Sequence, residues 1–147
     1  MALTQQQLEK LRQVRMFVLD MDGTIYLGES LFPFTKGFLR RVEETGRDFC
    51  FFTNNSSKNR EAYLEKLARM GISLPPEKML ISNGVILQWL GQHHPGARCY
   101  VVGTPALRED FRKAGFAPDA EDGDVVILGF DTTLTYEKLR VACDLIR

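Results

Sequence analysis

The stretch FVLDMDGT, residues 17–24, decides the fold of this chain. The apolar run 16–19 directly precedes Asp20, and a short continuous run of this kind indicates a buried β-strand. Asp22 follows two positions later, and Gly23 allows the backbone to turn and to approach a ligand closely. The pattern therefore predicts a strand that ends in two neighbouring carboxylates.

Further apolar runs have the length of strands and alternate with segments of helical periodicity. The predicted strands are residues 49–52, 99–102 and 125–128. The predicted helices are residues 36–45, 59–70 and 105–114, each followed by a glycine that commonly ends a helix. Ser56 or Ser57 is the expected N-cap of the second of these helices. Strands that alternate with helices imply βαβ units and a mainly parallel sheet, so the predicted fold class is α/β.

A last helical pattern begins at Thr135 and continues to the end of the chain. Its apolar face comprises Leu139, Ala142, Cys143 and Ile146. Because this stripe runs to the last residues, we expect that further sequence follows it. We predict a domain change near residues 81–84, with the N-terminal part of a core domain in residues 1–81 and part of a second α/β domain in residues 82–147.

The composition excludes several classes of protein. Lys plus Arg and Asp plus Glu each number 19 in 147 residues, so the chain lacks the basic surface typical of nucleic-acid binding. No apolar run reaches the roughly 18 residues that a membrane span requires, and residues 1–15 lack the apolar core of a signal peptide. We therefore expect a cytoplasmic protein. Its three cysteines form no CxxC pair and are expected to be buried thiols: Cys50, Cys99 and Cys143.

A second polar cluster, TNNSS at residues 53–57, follows the apolar run before it. In open α/β sheets, ligands bind beyond the carboxyl ends of the strands, so Asp20, Asp22 and this cluster are expected to share one edge. Thr53 and Asn54 offer hydroxyl and amide groups suited to phosphate oxygens, just before a helix N-terminus. The residues alone therefore predict a nucleophile and a metal ligand on one strand and phosphate donors on the other.

The polar clusters and two later segments resemble a known family. Residues 17–26 resemble motif I of the haloacid dehalogenase-like (HAD-like) hydrolases, and residues 51–57 resemble motif II of the NagD-like, p-nitrophenyl-phosphatase-like branch. Residues 100–103 and 126–131 resemble the cap domain of that branch, which is inserted after motif II. The resemblance implies an incomplete Rossmann-like parallel-sheet core with a partial α/β cap. It also implies a Mg²⁺-dependent phosphatase that hydrolyses monoesters of a small phosphorylated metabolite through an aspartyl-phosphate.

The resemblance implies a role for each site residue. Asp20 would attack phosphorus, and Asp22 would protonate the leaving oxygen and then deprotonate the attacking water. Mg²⁺ would bind the Asp20 carboxylate and the Asp22 main-chain carbonyl. Thr53 and Asn54, with the Gly23 N–H, would hold the phosphoryl oxygens.

Two alternatives remain open at this point. A phosphotransferase or mutase would use the same aspartyl-phosphate but pass the phosphoryl group to a sugar, and a truncated non-catalytic protein would keep the fold without turnover. The family pattern continues to a lysine and a later acidic pair, and neither Lys138 nor Asp144 lies in the matching context. We therefore expect little activity from these 147 residues alone. The cap of this branch implies that the partner is a second copy of the chain, in a homo-oligomer.

Overall fold

The computed structural model describes residues 3–147, and the part of the N-terminal predictions that falls on Met1 and Ala2 lies outside the described residues. The helices are α1 (Gln5–Arg12), α2 (Thr35–Glu44), α3 (Arg60–Arg69), α4 (Ser82–His93), α5 (Pro105–Lys113) and α6 (Tyr136–Ile146). The strands are β1 (Met16–Asp20), β2 (Tyr26–Leu27), β3 (Ser30–Leu31), β4 (Asp48–Thr53), β5 (Met79–Ile81), β6 (Cys99–Val102) and β7 (Val125–Leu128). A 3-10 turn, Pro76–Lys78, precedes β5. The predicted α/β class is confirmed.

The first sheet is parallel and has the strand order β1-β4-β5. Asp20 at the end of β1 lies opposite Phe52, and Thr53 at the end of β4 lies opposite Ile81. Because all three strands run in one direction, the polar residues that follow β1 and β4 emerge at the same edge of the sheet.

The core of the first sheet lies on the side covered by α2 and α3. Helix α2 contributes Leu39 and Val42, and α3 contributes Tyr63 and Leu67. They pack on Phe51, which is fully buried at the centre of the sheet. Burial of a large apolar side chain contributes about 1.5–3 kcal/mol to the free energy of unfolding, so this layer holds the edge with the polar residues in place.

The prediction that β1 is a buried strand is wrong for one of its faces. Met16 and Val18 are 49% and 63% exposed, whereas Phe17 and Leu19 pack against the core. The strand pairs only with β4, and the described residues leave its Val18 side in contact with solvent. A continuous apolar run therefore marks a strand here without showing that both faces are covered.

The predicted helix ends agree with the structure, but the predicted cap of α3 does not. Gly46 and Gly115 follow α2 and α5 with φ of 67° and 86°, the left-handed region that glycine favours. The N-cap of α3 is Asn59, whose side chain accepts the N–H of Ala62 at 3.0 Å. The two serines predicted as caps lie in the preceding loop, where Ser56 accepts a hydrogen bond from a distant part of the chain.

The second sheet contains β6 and β7, which are parallel, with α5 on one face and α6 on the other. On the α5 side the core comprises Leu90, Cys99, Val101, Leu107, Phe111 and Phe116. On the α6 side it comprises Tyr100, Val102, Val141 and Ala142. The predicted apolar face of α6 is largely wrong, because Leu139, Cys143 and Ile146 are exposed and the helix packs through Val141, Ala142 and Leu145 instead.

Two of the three cysteines agree with the prediction. Cys50 and Cys99 are buried, but Cys143 is exposed because it lies on the solvent side of α6. No helix within residues 3–147 is long and apolar enough to cross a membrane.

Candidate active site

Asp20 lies at the exposed carboxyl end of β1, and the loop that follows orients its side chain. The Thr24 hydroxyl donates to Asp20 Oδ2 at 2.9 Å. The other carboxylate oxygen, Oδ1, accepts no hydrogen bond from residues 3–147. Asp20 thus has one anchored oxygen and one that is free to bind a cation or to react.

The loop after Asp20 folds tightly around one carbonyl group. The Met21 carbonyl oxygen accepts the N–H groups of Thr24, Ile25 and Tyr26 at 3.1, 3.0 and 3.4 Å. Gly23 has a φ of 80°, and its own N–H donates to the Tyr26 carbonyl oxygen at 2.8 Å. The Gly23 N–H, which the sequence analysis assigned to a phosphoryl oxygen, is engaged within the loop, and its role towards phosphate stays a prediction. The glycine serves the turn itself.

Asp22 lies on the outer side of this loop, and its side chain is exposed. No backbone N–H within the described range donates to its carbonyl oxygen, which leaves that oxygen available to a metal ion. Burial raises the pKa of Tyr63 to about 12, and the negative charge of Asp22 adds to the rise. Burial, followed by the same charge, also raises the pKa of Tyr26. Both phenols therefore stay neutral and add no negative charge beside Asp22.

The loop after β4 brings Thr53 and Asn54 to the same edge. Thr53 is buried, and its Oγ1 accepts the N–H of Asn55 at 3.1 Å, which leaves the hydroxyl hydrogen to donate elsewhere. Asn55 Oδ1 in turn accepts from the N–H and hydroxyl of Ser57, at 3.1 and 2.6 Å. The Tyr63 hydroxyl closes the loop by donating to the Asn55 carbonyl at 3.0 Å. Asn54 is the exposed member, with its amide open to solvent.

The oxygen ligands at this edge suit Mg²⁺, but they are few. The Asp20 carboxylate and the Asp22 carbonyl are hard oxygen donors of the kind that Mg²⁺ takes, together with several water molecules. Within residues 3–147, no group of three Asp, Glu, His or Cys side chains is arranged to hold a metal ion. The described residues thus fit a Mg²⁺ ion that is held by two protein ligands and is otherwise hydrated.

The sequence analysis missed a lysine behind the site. Lys66 is buried on α3, with its Nζ 4.0 Å from the centroid of the Tyr26 ring and 3.8 Å from a carboxylate oxygen of Glu29. A cation over an aromatic face is stabilised by about 0.5–2 kcal/mol. Helical periodicity could have predicted that Lys66 is buried, since it lies between Tyr63 and Leu67 on the buried face of the helix.

A second lysine also lacked a predicted role. Lys138 Nζ donates to Asp131 at 2.7 Å, to the Gly103 carbonyl at 3.2 Å and to both oxygens of Thr133. The Asp131 side chain is only 2% exposed. Burial acts to raise the pKa of Asp131, but the hydrogen bonds from Lys138 and Thr133 outweigh it and hold the pKa below its ordinary value. This pair fastens the loop between β7 and α6.

A cleft lies between the loop after β4 and the second sheet. Its volume is about 450 Å³, and its wall includes Asn54, Ser56, Ile86 and Leu107. The cleft does not include Asp20 or Asp22. A molecule held at Asn54 therefore has room to extend towards the second sheet, away from the carboxylates.

Comparison with known proteins agrees with these features. Residues 17–117 match the model of the family described as haloacid dehalogenase-like hydrolase. An acid sugar phosphatase of Staphylococcus aureus (strain USA300) is 32% identical over 133 residues, which are 90% of this chain and 51% of that protein. The structure of a 4-nitrophenylphosphatase from Thermotoga maritima superposes with a TM-score of 0.87 and 40% identity, over 92% of this chain and 52% of that one. NagD from E. coli K-12, at 23% identity and a TM-score of 0.78, shows the shared fold alone.

The chain spans about half the length of the curated relatives it matches. The family match, residues 17–117, contains the strand ends at Asp20 and Thr53, and it continues through α4, β6 and α5. The family match covers more than half of the chain, and the fold agrees with it throughout the superposed region. The chain therefore belongs to the haloacid dehalogenase-like hydrolase family.

Proposed function

We propose that the complete protein hydrolyses phosphate monoesters of small metabolites, using Mg²⁺ and an aspartyl-phosphate formed on Asp20. The observation that carries this proposal is the meeting of Asp20 and Thr53 at one edge of a parallel sheet, with one carboxylate oxygen anchored and the other free. The names of two relatives, an acid sugar phosphatase and a 4-nitrophenylphosphatase, support the same reaction.

The residues divide the reaction into two steps. Asp20 forms a bond to phosphorus while the ester P–O bond breaks, and Asp22 gives a proton to the leaving oxygen. Asp22 then takes a proton from the water that attacks phosphorus, and Asp20 is released. Thr53 and Asn54 donate hydrogen bonds to the phosphoryl oxygens. Mg²⁺, when held by the Asp20 carboxylate and the Asp22 carbonyl, supplies the positive charge that lets two anionic groups approach.

The proposal is tested by measuring how phosphatase activity depends on the metal ion. We expect the full-length protein to release phosphate from p-nitrophenyl phosphate with Mg²⁺, to lose this activity in EDTA and to recover it when Mg²⁺ is restored. Ca²⁺ should replace Mg²⁺ poorly, because it takes longer bonds and more ligands than the compact octahedron at about 2.0–2.1 Å that Mg²⁺ prefers. Full activity in the chelator would overturn the proposed site. Added sugars provide a second comparison, since a phosphotransferase would form a new sugar phosphate without releasing free phosphate.

We also propose that residues 82–147 form part of a cap domain and that the cap mediates homo-oligomerisation. Two observations support the division after residue 81. β5 ends there and α4 begins at the next residue, and separate buried clusters lie on the two sides of this point. Sedimentation velocity of the full-length protein, with and without the cap residues, would test the oligomer.

A further inference from the structure

The loop after β4 is fastened by residues that lie beyond residue 81. Three consecutive loop residues, 56–58, each accept one hydrogen bond from a residue of the second sheet or of the helices beside it. The pairs are Ser56 Oγ with the Phe130 N–H (2.7 Å), the Ser57 carbonyl with Thr104 Oγ1 (2.9 Å) and the Lys58 carbonyl with Asn83 Nδ2 (3.3 Å). The donors come from the loop after β7, from the N-cap of α5 and from the first turn of α4.

These contacts are partly buried, and in each of them the side chain that makes the bond is itself buried. Ser56, Thr104 and Asn83 are 8%, 5% and 1% exposed. The Asn83 amide can point only one way, because both groups that it contacts through Nδ2, the Lys58 carbonyl and the Asp110 carboxylate, are acceptors.

The close approach at Ser56 depends on Gly129. A Cβ added at Gly129 would lie 2.5 Å from a methyl carbon of Leu107 and 3.0 Å from Ser56 Oγ. A side chain at Gly129 would therefore crowd the end of the Leu107 side chain and Ser56 Oγ, at the point where the end of β7 approaches the loop.

The fastened residues are continuous with the phosphate donors. Ser57 bonds through its N–H and hydroxyl to Asn55 Oδ1, and the Asn55 N–H bonds to the Thr53 hydroxyl. Holding residues 56–58 in place therefore also restrains Thr53, through the turn from Ser57 to Asn55 and the turn from Asn55 to Thr53. Asn54 lies inside the second of these turns. We propose that Ser56, Thr104 and Asn83 are positioning residues, which hold the loop 53–58 in its phosphate-binding conformation by tying it to the second α/β layer. The phosphate-binding part of this inference rests on the proposed function.

The chain offers a matched pair of threonines for the test. Thr104 and Thr135 each cap a helix by accepting an N–H at 3.3 Å, from Leu107 and Lys138 respectively. Thr104 differs in donating its hydroxyl hydrogen to the loop. Thr104→Val therefore removes both a helix cap and the hydrogen bond to the loop, and Thr135→Val removes a helix cap alone. Thr104→Ser keeps both functions of the hydroxyl.

The first measurement is amide hydrogen exchange by NMR at Asn55 and Ser57 in the full chain. We expect Thr104→Val to speed exchange at these amides roughly two- to ten-fold, the range that follows from losing one net hydrogen bond. Thr135→Val and Thr104→Ser should leave the rates close to wild type. Equal rates in the two valine variants would overturn the proposal. If Thr104→Val does not fold, Ser56→Ala gives the same decision through exchange at the Asn55 and Ser57 amides, which should rise.

The second measurement is the affinity for inorganic phosphate with Mg²⁺ present. Thr104→Val should weaken binding two- to ten-fold, and Thr104→Ser should restore it. Faster exchange with unchanged phosphate affinity would overturn the positioning role. A full-length wild-type protein that binds no phosphate would instead contradict the proposed function, and the exchange rates would still decide whether the second sheet and its helices hold the loop.

Discussion

At the scale of single residues, the hydrogen bond from Thr24 to Asp20 makes a direct prediction. Thr24→Val keeps the shape of the side chain but removes the donor to Asp20 Oδ2. A hydrogen bond to a charged group contributes about 1.5–3 kcal/mol, so we expect kcat in the full-length protein to fall roughly ten-fold or more. Thr24→Ser should keep most of the activity. A valine variant with wild-type kcat would mean that Asp20 is oriented by something else.

The proposed nucleophile is tested by Asp20→Asn, which is nearly isosteric. We expect hydrolysis of p-nitrophenyl phosphate to be abolished, while the midpoint of thermal unfolding stays close to that of the wild type because Asp20 is exposed. Asp22→Asn should lower kcat by about 10²–10⁴-fold, the usual contribution of a general acid and base. Asp122→Asn, in an exposed pair with Arg98, is the control and should keep full activity. Near-normal turnover by Asp20→Asn would exclude the aspartyl-phosphate.

At the carboxyl edge of the first sheet, the sequence alone predicts those residues whose role follows from their position at the end of a strand. Asp20 and Thr53 follow directly from apolar runs, and the strand ends bring them together. The bond from the Gly23 N–H to the Tyr26 carbonyl lies within one short turn, but the apolar runs that predict the strands do not show which way that N–H points. The hydrogen bond between Phe130 and Ser56 spans 74 positions, so no local pattern can reveal it.

At the scale of elements, the pair between Asp131 and Lys138 predicts how stability depends on pH. The pKa of Asp131 is lowered in the folded state, so its contribution is fully present above the unfolded-state pKa of about 3.9 and is lost as the pH falls through the lower folded-state value. Asp131→Asn should therefore lower the free energy of unfolding at pH 7 by about 1–3 kcal/mol. Below about pH 4 the difference from wild type should shrink.

Urea denaturation at a series of pH values checks this. Asp144→Asn is the control, because Asp144 lies in exposed pairs with Arg140 and Arg147 on α6 and should change the unfolding free energy little at any pH. A difference between wild type and Asp131→Asn that stayed constant from pH 7 to pH 3 would contradict the assigned ionisation. The sequence pattern of α6 did not reveal this pair, because the pattern locates apolar faces and Lys138 bonds through its end group.

At the scale of the whole molecule, one side of the first sheet carries an exposed apolar surface. Val18 and Leu80 are 63% and 41% exposed on this side, and Val85 and Trp89 of α4, which are 58% and 44% exposed, line an adjoining cleft with Phe52. Exposed apolar surface on a strand that pairs on one side only favours association. We therefore predict that the 147-residue chain self-associates as its concentration rises.

Val18→Lys should weaken this association, as measured by sedimentation velocity over a range of concentrations. Ile146→Lys is the control, since Ile146 is 70% exposed but lies on α6, outside the first sheet. Equal weakening by both substitutions would point to a general effect of charge. The sequence predicted a parallel α/β fold correctly because strand and helix periods are local, but which face is covered depends on what lies beside the sheet.

The hydrogen bond between Ser56 and Phe130 also has a consequence for the order of folding during translation. The two residues are 74 positions apart, so the loop after β4 is made long before its fastening partner exists. At the usual rate of synthesis, about 5–20 residues per second, that interval is roughly 4–15 s. The three described strands of the first sheet have been made by residue 81, and they have time to pair while β6 and β7 are still being translated. The loop that we propose to bind phosphate therefore receives its hydrogen bond from Phe130 only after the ribosome has passed the end of β7.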